Sequence, residues 1–453
     1  MKAGFARVDI TPPPGTNMTG FGGRDRDHGC EGVRDPLFVR ALYLEHGDCR
    51  AFIMAFDICF FHRSDADRCK GAIGRHLDVS PQMILLNASH THAGPAVGRW
   101  GFNAFDAPPD PLYIDQLEQA AVRAACQAAR EMRPATLSAG LARTTLPVKR
   151  RKPDGRGSVE WRPYPQGVVC NHLPIALFRD EAGKPLCLMF SVACHPSTVG
   201  GWLISADYPG AACSLLDEEL GAEASMFLQG AGGDAKARVI ADGHDGTDAC
   251  WRQGSWDDVQ SAGRLVAEEV SAALSAGLSP VKPALRYASL EMPLGLESPP
   301  ERKEIECLLQ QVRAEARPSL RQLWAERLLR RIQRCETLAT SVPVTVHAIQ
   351  IGEGLRIVGL EGEPVAELGL LMSDFYTSGI TFSLGYTNGA QLYLPTSAMI
   401  DEGGYEVDSY YEYGFPAPLR KGIEEALARS LEELKARGIR QARAHGDSAG
   451  RST

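Results

Sequence analysis

The segment that most constrains this chain is residues 87–95, Asn-Ala-Ser-His-Thr-His-Ala-Gly-Pro, which follows the apolar run 83–86. That run is too short for a helix and predicts a buried strand. Side chains two residues apart on an extended segment point the same way, so His90 and His92 are expected to converge at the strand end. Two converging imidazoles suit zinc. The alternative is a pair of histidines bound to backbone carbonyls beside the Gly94-Pro95 turn.

The composition is typical of a globular protein, with 453 residues, 44% hydrophobic and 23% charged. A net charge of -8 argues against a nucleic-acid-binding protein, which normally presents a basic surface. The N-terminus lacks the apolar stretch of an export signal, and no apolar run approaches the roughly 20 residues of a membrane-spanning helix. The 12 cysteines form no Cys-x-x-Cys pair and are expected to be reduced thiols. These features predict a cytoplasmic protein that binds a small-molecule substrate, without nucleic-acid binding or membrane insertion.

Strand and helix patterns alternate along most of the chain. Residues 39–44 and 51–56 are predicted strands, residues 64–76 and 112–132 are predicted helices, and the alternation continues to residue 274. This pattern predicts a mixed α/β fold in a single domain over residues 1–440, followed by a disordered polar tail over residues 441–453. Residues 297–340 carry charged helical sequence broken near Pro318, which we interpret as an inserted hairpin or as the subunit contact of a homo-oligomer.

A basic, turn-rich segment covers residues 149–157, Lys-Arg-Arg-Lys-Pro-Asp-Gly-Arg-Gly. Such runs are usually solvated loop tips, and this is the expected placement here. The alternative is that these cations attract an anionic substrate.

Further polar residues follow predicted strands elsewhere in the chain. His195 comes after the apolar segment 186–192, and a glycine-rich turn ending at Asp234 comes after the segment 224–228. Glu363 follows the strand at 355–360, and Tyr393 follows the segment 382–388. Strand ends are where α/β enzymes assemble their sites, so these segments are candidates for one shared site.

Taken together and in this order, the segments resemble the neutral ceramidase family, zinc amidases that cleave the N-acyl bond of ceramide. The similarity is to the His-Thr-His-Ala-Gly-Pro segment, the later strand-end histidine, the Gly-Asp turn, the Gly-Glu turn and the Asn-x-x-x-x-Tyr segment, within residues 1–420. It implies a mixed-sheet catalytic domain, here expected without the C-terminal immunoglobulin-like domain. It also implies a Zn²⁺ site with four ligands, namely His90, His195, Glu363 and Tyr393. His92 is then expected to contact the substrate carbonyl or the developing oxyanion, with Tyr410 as its partner.

The chain departs from that family after the Gly-Asp turn. Where the ceramidases have serine, within Gly-Asp-Val-Ser-Pro-Asn, this chain has Lys236. Lys236 is expected either to supply positive charge to the oxyanion or to an acidic substrate, or to point to solvent. Arg99, Trp100 and Asp234 are the expected substrate-binding residues, although Trp100 has the alternative role of packing its loop.

These observations predict a zinc-dependent hydrolase that uses a metal-activated water to cleave an amide bond in a soluble substrate of small or medium size. Two alternatives remain open at this point. One is a zinc-dependent esterase or a deacylase of an acylated sugar or amino acid. The other is a non-catalytic binding protein on the same scaffold.

Overall fold

Strands and helices alternate over most of the chain in the computed structural model, which describes residues 1–22, 24, 28–97, 110–241, 249–312 and 319–441. The strands are β1 (Lys2–Asp9), β2 (Gly32–Val33), β3 (Phe38–His46), β4 (Cys49–Phe56), β5 (Ile84–Ala88), β6 (Arg133–Arg143), β7 (Pro147–Pro153), β8 (Val159–Tyr164), β9 (His172–Asp180), β10 (Pro185–Val192), β11 (Leu203–Ile204), β12 (Ser225–Gln229), β13 (Ala235–Ala237), β14 (Ile240–Ala241), β15 (Cys250–Trp251), β16 (Ser279–Pro280), β17 (Pro283–Gly295), β18 (Ser341–Gly352), β19 (Leu355–Leu360), β20 (Glu363–Pro364), β21 (Ile380–Leu384) and β22 (Tyr393–Leu394). The helices are α1 (Arg63–Leu77), α2 (Pro111–Arg130), α3 (Asp207–Leu220), α4 (Trp256–Ala276), α5 (Arg302–Val312), α6 (Leu320–Gln333), α7 (Ala366–Asp374), α8 (Ser397–Glu402), α9 (Tyr405–Asp408) and α10 (Ile423–Ala436), with 3-10 turns at Pro81–Met83 and Ser409–Tyr413.

The largest sheet has the strand order β12-β10-β9-β6-β1-β3-β4-β5, and β16 pairs with β6. Its pairs β10–β12 and β4–β5 are parallel, and its other pairs are antiparallel. A second sheet has the order β17-β18-β19-β21. The mixed α/β fold class predicted from the sequence is therefore confirmed.

Four layers result from the alternation of side chains along the strands. On β3, Val39, Ala41 and Tyr43 face a core shared with α1 and α2, whereas Leu42 and Leu44 face a core shared with the four-stranded sheet. The helices α3 and α4 cover the β9–β10–β12 half of the large sheet, and α7 and α10 cover the outer face of the four-stranded sheet. The order is thus helices, sheet, sheet, helices. Because both sheets are covered on both faces, side chains that leave the strand ends are the ones available to form a site.

The basic segment at residues 149–157 is not the solvated loop that the sequence predicted. Residues 147–153 form β7, the middle strand of a small sheet with the order β13-β7-β8, and Lys149, Arg150 and Arg151 are all buried. The reason is that carboxylates distant in sequence surround the segment. Glu406 accepts hydrogen bonds from Arg150 Nε at 2.7 Å and Arg151 Nη1 at 2.8 Å. The cations are therefore part of the interior rather than of a solvated loop.

The charged stretch at 297–340 forms α5 and α6 between β17 and β18. Ile305, Trp324 and Leu328 make a small core of their own, against which Tyr410 and Tyr411 pack. The residues around Pro318, at 313–318, lie outside the described residues, as does the predicted tail from residue 442 onward. A homo-oligomer contact on this hairpin stays a prediction.

Within the described segments, no helix combines the length and the apolar character needed to cross a bilayer. The 12 cysteines are all free in the structure, and Cys59 lies beside His90.

One buried ion pair ties two central strands of the large sheet together. Arg40 on β3 donates to the carboxylate of Asp57, just beyond β4, at 2.7 Å, and the Phe38 amide donates to the same oxygen at 2.9 Å. Both charged side chains are almost fully buried. Removing one partner of such a pair leaves the other charge buried and uncompensated.

Arg40→Met should therefore lower the free energy of unfolding by about 3–5 kcal/mol, measured by chemical denaturation. Lys2→Met is the matched control, since Lys2 forms an exposed pair with Glu45 across the same sheet. Exposed pairs contribute roughly 0–1 kcal/mol, so the control should change stability little. Equal effects of the two substitutions would contradict the structural role given to Arg40.

Candidate metal centre

Four strand-end segments meet at one place. His90 lies two residues beyond β5, His195 three residues beyond β10, and Glu363 and Tyr393 begin β20 and β22. Glu363 and Tyr393 are direct partners in the parallel β20–β22 pair. The structure thus brings together the four side chains that the family resemblance implied as zinc ligands.

The distances within this cluster are short. Glu363 Oε2 lies 3.5 Å from His90 Nε2 and 3.5 Å from His195 Nε2. His195 Nε2 lies 3.2 Å from the hydroxyl of Tyr393. The two imidazoles and the carboxylate place their ligand atoms within 4.8 Å of one another, and all three side chains are buried.

Backbone carbonyls fix how the two imidazoles are turned. His90 Nδ1 lies 2.8 Å from the Cys59 carbonyl oxygen, and His195 Nδ1 lies 2.7 Å from the Gly232 carbonyl oxygen. A carbonyl only accepts, so each Nδ1 must carry the proton, and in the neutral rings the Nε2 lone pairs point inward. Two inward lone pairs and a carboxylate are a donor set that fits zinc, with the second shell that metal-binding histidines normally have.

The predicted reason for the convergence of His90 and His92 is wrong, although the two rings do meet. β5 ends at Ala88, and His90 has a left-handed backbone with φ of 65°. The amides of Ser89 and His90 bond to the carbonyls of Phe56 and Ile58, which holds this turn. The side chain of His90 is therefore aimed by a strained turn and not by strand alternation.

Burial and mutual electrostatic effects shift the pKa values of Glu363 and His90. Burial raises the pKa of Glu363, but the neighbouring His90 and His195 outweigh it and bring the pKa down to about 2. Burial lowers the pKa of His90 to about 3, against the opposing effect of Glu363. At neutral pH the cluster thus offers a carboxylate and neutral imidazole, which are the protonation states that a metal requires.

Sequence reasoning missed the tyrosines that hold Glu363. Tyr413 donates to Glu363 Oε1 at 2.7 Å, and Tyr386 donates to Oε2 at 3.2 Å. Tyr386 also stacks on the His90 ring, with 4.1 Å between centroids. The tyrosine-rich segment 405–413 was the available signal, but nothing in its spacing singles out Tyr413.

His92 lies beside the cluster, with Nε2 3.1 Å from His90 Nε2. The glycine-rich N-terminal segment packs on it: the Phe21 ring contacts His92 edge-on at 4.9 Å, and Gly20 has φ of 103°. A Cβ on Gly20 would come within 2.7 Å of His92 Cα, so only glycine allows this approach. Burial lowers the pKa of His92 well below its usual value, which keeps the ring neutral.

Tyr410 does not reach the cluster. It packs edge-on against Trp324 of α6, with 5.8 Å between ring centroids. Tyr405 and Glu412, from the same stretch of chain, line the cavity at the cluster instead. Burial raises the pKa of Glu412 to about 7, and its carboxyl accepts from the Tyr405 hydroxyl at 2.8 Å. Tyr410 is therefore not placed to act as the partner of His92.

Asp234 is fully buried beneath the site. It pairs with Lys149 at 2.7 Å and accepts from the Ala366 amide, at the start of α7, at 2.9 Å. The preceding Gly233 lies against Glu363, where an added Cβ would come within 2.6 Å of the Glu363 carbonyl oxygen. These contacts position the Glu363 segment and leave Asp234 no surface for a substrate.

Lys236 lies close to the cluster. Its backbone forms a bridge with His195, and its ammonium sits 5.0 Å from the centre of the Trp251 ring. Burial lowers the pKa of Lys236 to about 8. Arg99 and Trp100 lie outside the described residues.

Two cavities adjoin the cluster. The inner one, of about 50 Å³, is lined by His90, His92, Glu363 and Tyr393, and has space for a few waters or a small group. The outer one, of about 360 Å³, shares His92, Tyr393 and Tyr405 with it and extends to Lys236.

The similarity of this chain to known proteins lies in its fold. No protein-family model and no curated protein matches the chain. A crystal structure of neutral ceramidase from Pseudomonas aeruginosa does match, with a TM-score of 0.71 and 15% identity over 98% of this chain and 76% of that chain. The chain has the neutral ceramidase fold. A ceramidase complexed with C2 matches equally, with a TM-score of 0.71 and 15% identity over 99% of this chain and 78% of the other.

The ceramidase-like catalytic fold predicted from the motifs is thus confirmed. At 15% identity the likeness shows the fold alone.

Tyr413→Phe should weaken the affinity for added zinc roughly 10- to 100-fold, because it removes the hydroxyl that orients Glu363. Competition with a chromogenic chelator measures that affinity. Tyr410→Phe is the matched control, since Tyr410 lies in the same 3-10 turn but packs on Trp324. A zinc affinity that both substitutions change equally would remove Tyr413 from the ligand-supporting role.

Proposed function

We propose that this protein is a zinc-dependent hydrolase that cleaves an amide bond in a soluble substrate of small or medium size. The observation that carries the proposal is the convergence of His90, His195 and Glu363, with both imidazole tautomers set by backbone carbonyls. Two imidazole nitrogens and one carboxylate that face a common point form a donor set that suits a divalent cation.

Zinc fits this set, with Tyr393 as the fourth ligand. Two neutral nitrogens and a carboxylate oxygen are common catalytic zinc ligands. The inner cavity lies directly on the cluster, which leaves room for water and for the substrate carbonyl. Bound there, zinc would make water a stronger nucleophile and polarise the carbonyl.

His92 supplies the proton transfer. Its Nε2 faces the cluster, and its lowered pKa keeps the ring neutral. With a metal on the lone pair of His90 Nε2, the His92 ring would carry its proton on Nδ1, and its Nε2 would be able to accept a proton from the attacking water. Water oxygen bonds to the carbonyl carbon, the C–N bond breaks, and the proton held by His92 passes to the departing nitrogen. The products are a carboxylic acid and an amine.

Two observations bear on the substrate. Two solved structures that share this fold are ceramidases, and ceramide is an amide, which supports amide hydrolysis. Lys236 lines the outer cavity. A lipid chain bound there would bury the ammonium group without a polar partner, which is unfavourable. We therefore assign the reaction to amides that are more polar than long-chain ceramide.

The purified protein should contain about one zinc per chain by inductively coupled plasma mass spectrometry. His90→Ala and His195→Ala should each lose the metal, because each removes a ligand. His92→Ala should keep the metal and lose turnover by roughly 100-fold or more, since it removes the proton carrier. His46→Ala, at an exposed turn, is the control for the loss of a histidine.

Circular dichroism of each variant separates loss of zinc from loss of folding. Loss of zinc in His92→Ala would move that residue into the ligand set. A metal-loaded protein that hydrolyses esters but not amides in a panel of N-acyl and O-acyl substrates would make the enzyme an esterase. Zinc binding without any hydrolysis would support a binding protein on this scaffold.

A further inference from the structure

The outer cavity has features that amide hydrolysis alone does not require. It occupies about 360 Å³, within the size range of small-molecule sites, and joins the inner cavity through His92, Tyr393 and Tyr405. Its lining also includes Arg150, Trp161 and Lys236, and Arg150 Nη1 lies 3.4 Å from His195 Nε2. We call this space the outer chamber.

Arg150, Trp161 and Lys236 lie on adjacent strands. Lys236 lies on β13, Arg150 on β7 and Trp161 on β8, which are the three neighbouring strands of the small sheet. The guanidinium of Arg150 lies 4.2 Å from the centre of the Trp161 ring. The sheet thus presents two cations and an aromatic face to the chamber.

The lining of the chamber is positive. In the part of the chain that the structure describes, the lining includes Arg150 and Lys236 but no carboxylate. Arg150 pairs with Glu406, yet Glu406 also pairs with Arg151. The Nη2 atom of Arg150 is buried and has no hydrogen-bond partner among the described residues. Arg151 has a second partner in Glu402, so two carboxylates balance the two guanidinium groups, and the uncompensated positive charge of the lining is that of Lys236.

Lys236 is the cation with the least compensation. It is half-buried, and over the described ranges it forms no ion pair or hydrogen bond through its ammonium. Its ammonium lies over the face of Trp251, 5.0 Å from the ring centre. A half-buried ammonium without a counter-ion favours an anionic ligand, because a charge-assisted hydrogen bond replaces the water that burial removes.

We propose that the outer chamber is an anion subsite, in which Lys236 binds the carboxylate of an amide substrate such as an N-acylated amino acid. The inference rests on the proposed function for the identity of the bond that is cleaved, but not for the binding of the anion. Because the two cavities share His92 and Tyr393, the carboxylate and the scissile amide belong to one compact molecule. Trp161 and Tyr405 add aromatic surface for a flat side chain.

Two probes that differ in one carboxylate test the subsite. N-acetyl-L-phenylalanine carries the carboxylate, and N-acetylphenethylamine has the same amide and ring without it. Isothermal titration with zinc added gives the dissociation constant of each, and KM with kcat replaces it where a probe is hydrolysed. The wild type should bind the carboxylate probe at least tenfold more tightly.

Lys236→Gln should weaken binding of the carboxylate probe roughly 10- to 100-fold, as expected for loss of a hydrogen bond to a charged group, and at least ten times more than it weakens the neutral probe. Lys236→Arg should retain most of the affinity, since the positive charge remains. Lys184→Gln, at an exposed hairpin, is the matched control for the loss of a lysine. Zinc content should be equal in all of these proteins, because Lys236 is adjacent to His195 only through the backbone.

Equal affinity of the wild type for the two probes would overturn the proposal, as would equal losses for both in Lys236→Gln. Carboxylate binding that is lost in His90→Ala but kept in Lys236→Gln would place the carboxylate at the metal cluster and overturn it as well. If the charge preference depends on Lys236 but neither probe is hydrolysed, the subsite stands and the proposed amidase reaction fails for this substrate class. The two proposals therefore fail separately.

Discussion

Glu363 places a buried carboxylate 3.5 Å from the Nε2 atoms of both His90 and His195. Removing a carboxylate from water costs several kcal/mol, so the folded chain must surround it with donors or positive charge. Tyr413 and Tyr386 provide two donors, and a metal between the imidazoles would provide the charge. The β20–β22 pair, the turn at His90 and the Gly-Gly-Asp turn all pack around this one carboxylate.

The layered fold explains why these groups meet. Both sheets are covered by helices. β5, which precedes His90, is the last strand at one end of the large sheet, and β10, which precedes His195, is next to the strand at the other end. The four-stranded sheet packs on its inner face and brings in the Glu363 segment. His90, His195 and Glu363, which lie 105 to 273 residues apart in the sequence, therefore meet at one place, and glycines at the contacts allow their backbones to approach.

The fold class and the convergence of four side chains could be predicted from the sequence. His90, His195, Glu363 and Tyr393 each follow a recognisable apolar strand, and their motifs occur in the order found in a known family. The burial of the basic segment could not be predicted, since it depends on Glu406, about 255 residues further on. The same limit applies to Tyr413, whose partner Glu363 lies 50 residues earlier in the sequence. The left-handed turn at His90 is a tertiary effect as well, because the carbonyls of Phe56 and Ile58 impose it.

A second grouping competes with the proposed one, and it makes the central claim directly measurable. Cys59, His90 and His92 also lie close enough to hold a metal, but His90 Nδ1 is engaged with the Cys59 carbonyl oxygen at 2.8 Å. X-ray absorption at the zinc edge distinguishes the two, since Zn–S distances are about 2.3 Å and Zn–N or Zn–O distances about 2.0–2.2 Å. The account predicts a shell of nitrogen and oxygen only, with imidazole scattering from two histidines. A sulfur ligand, or a zinc-loaded protein whose spectrum is unchanged by Glu363→Gln, would contradict it.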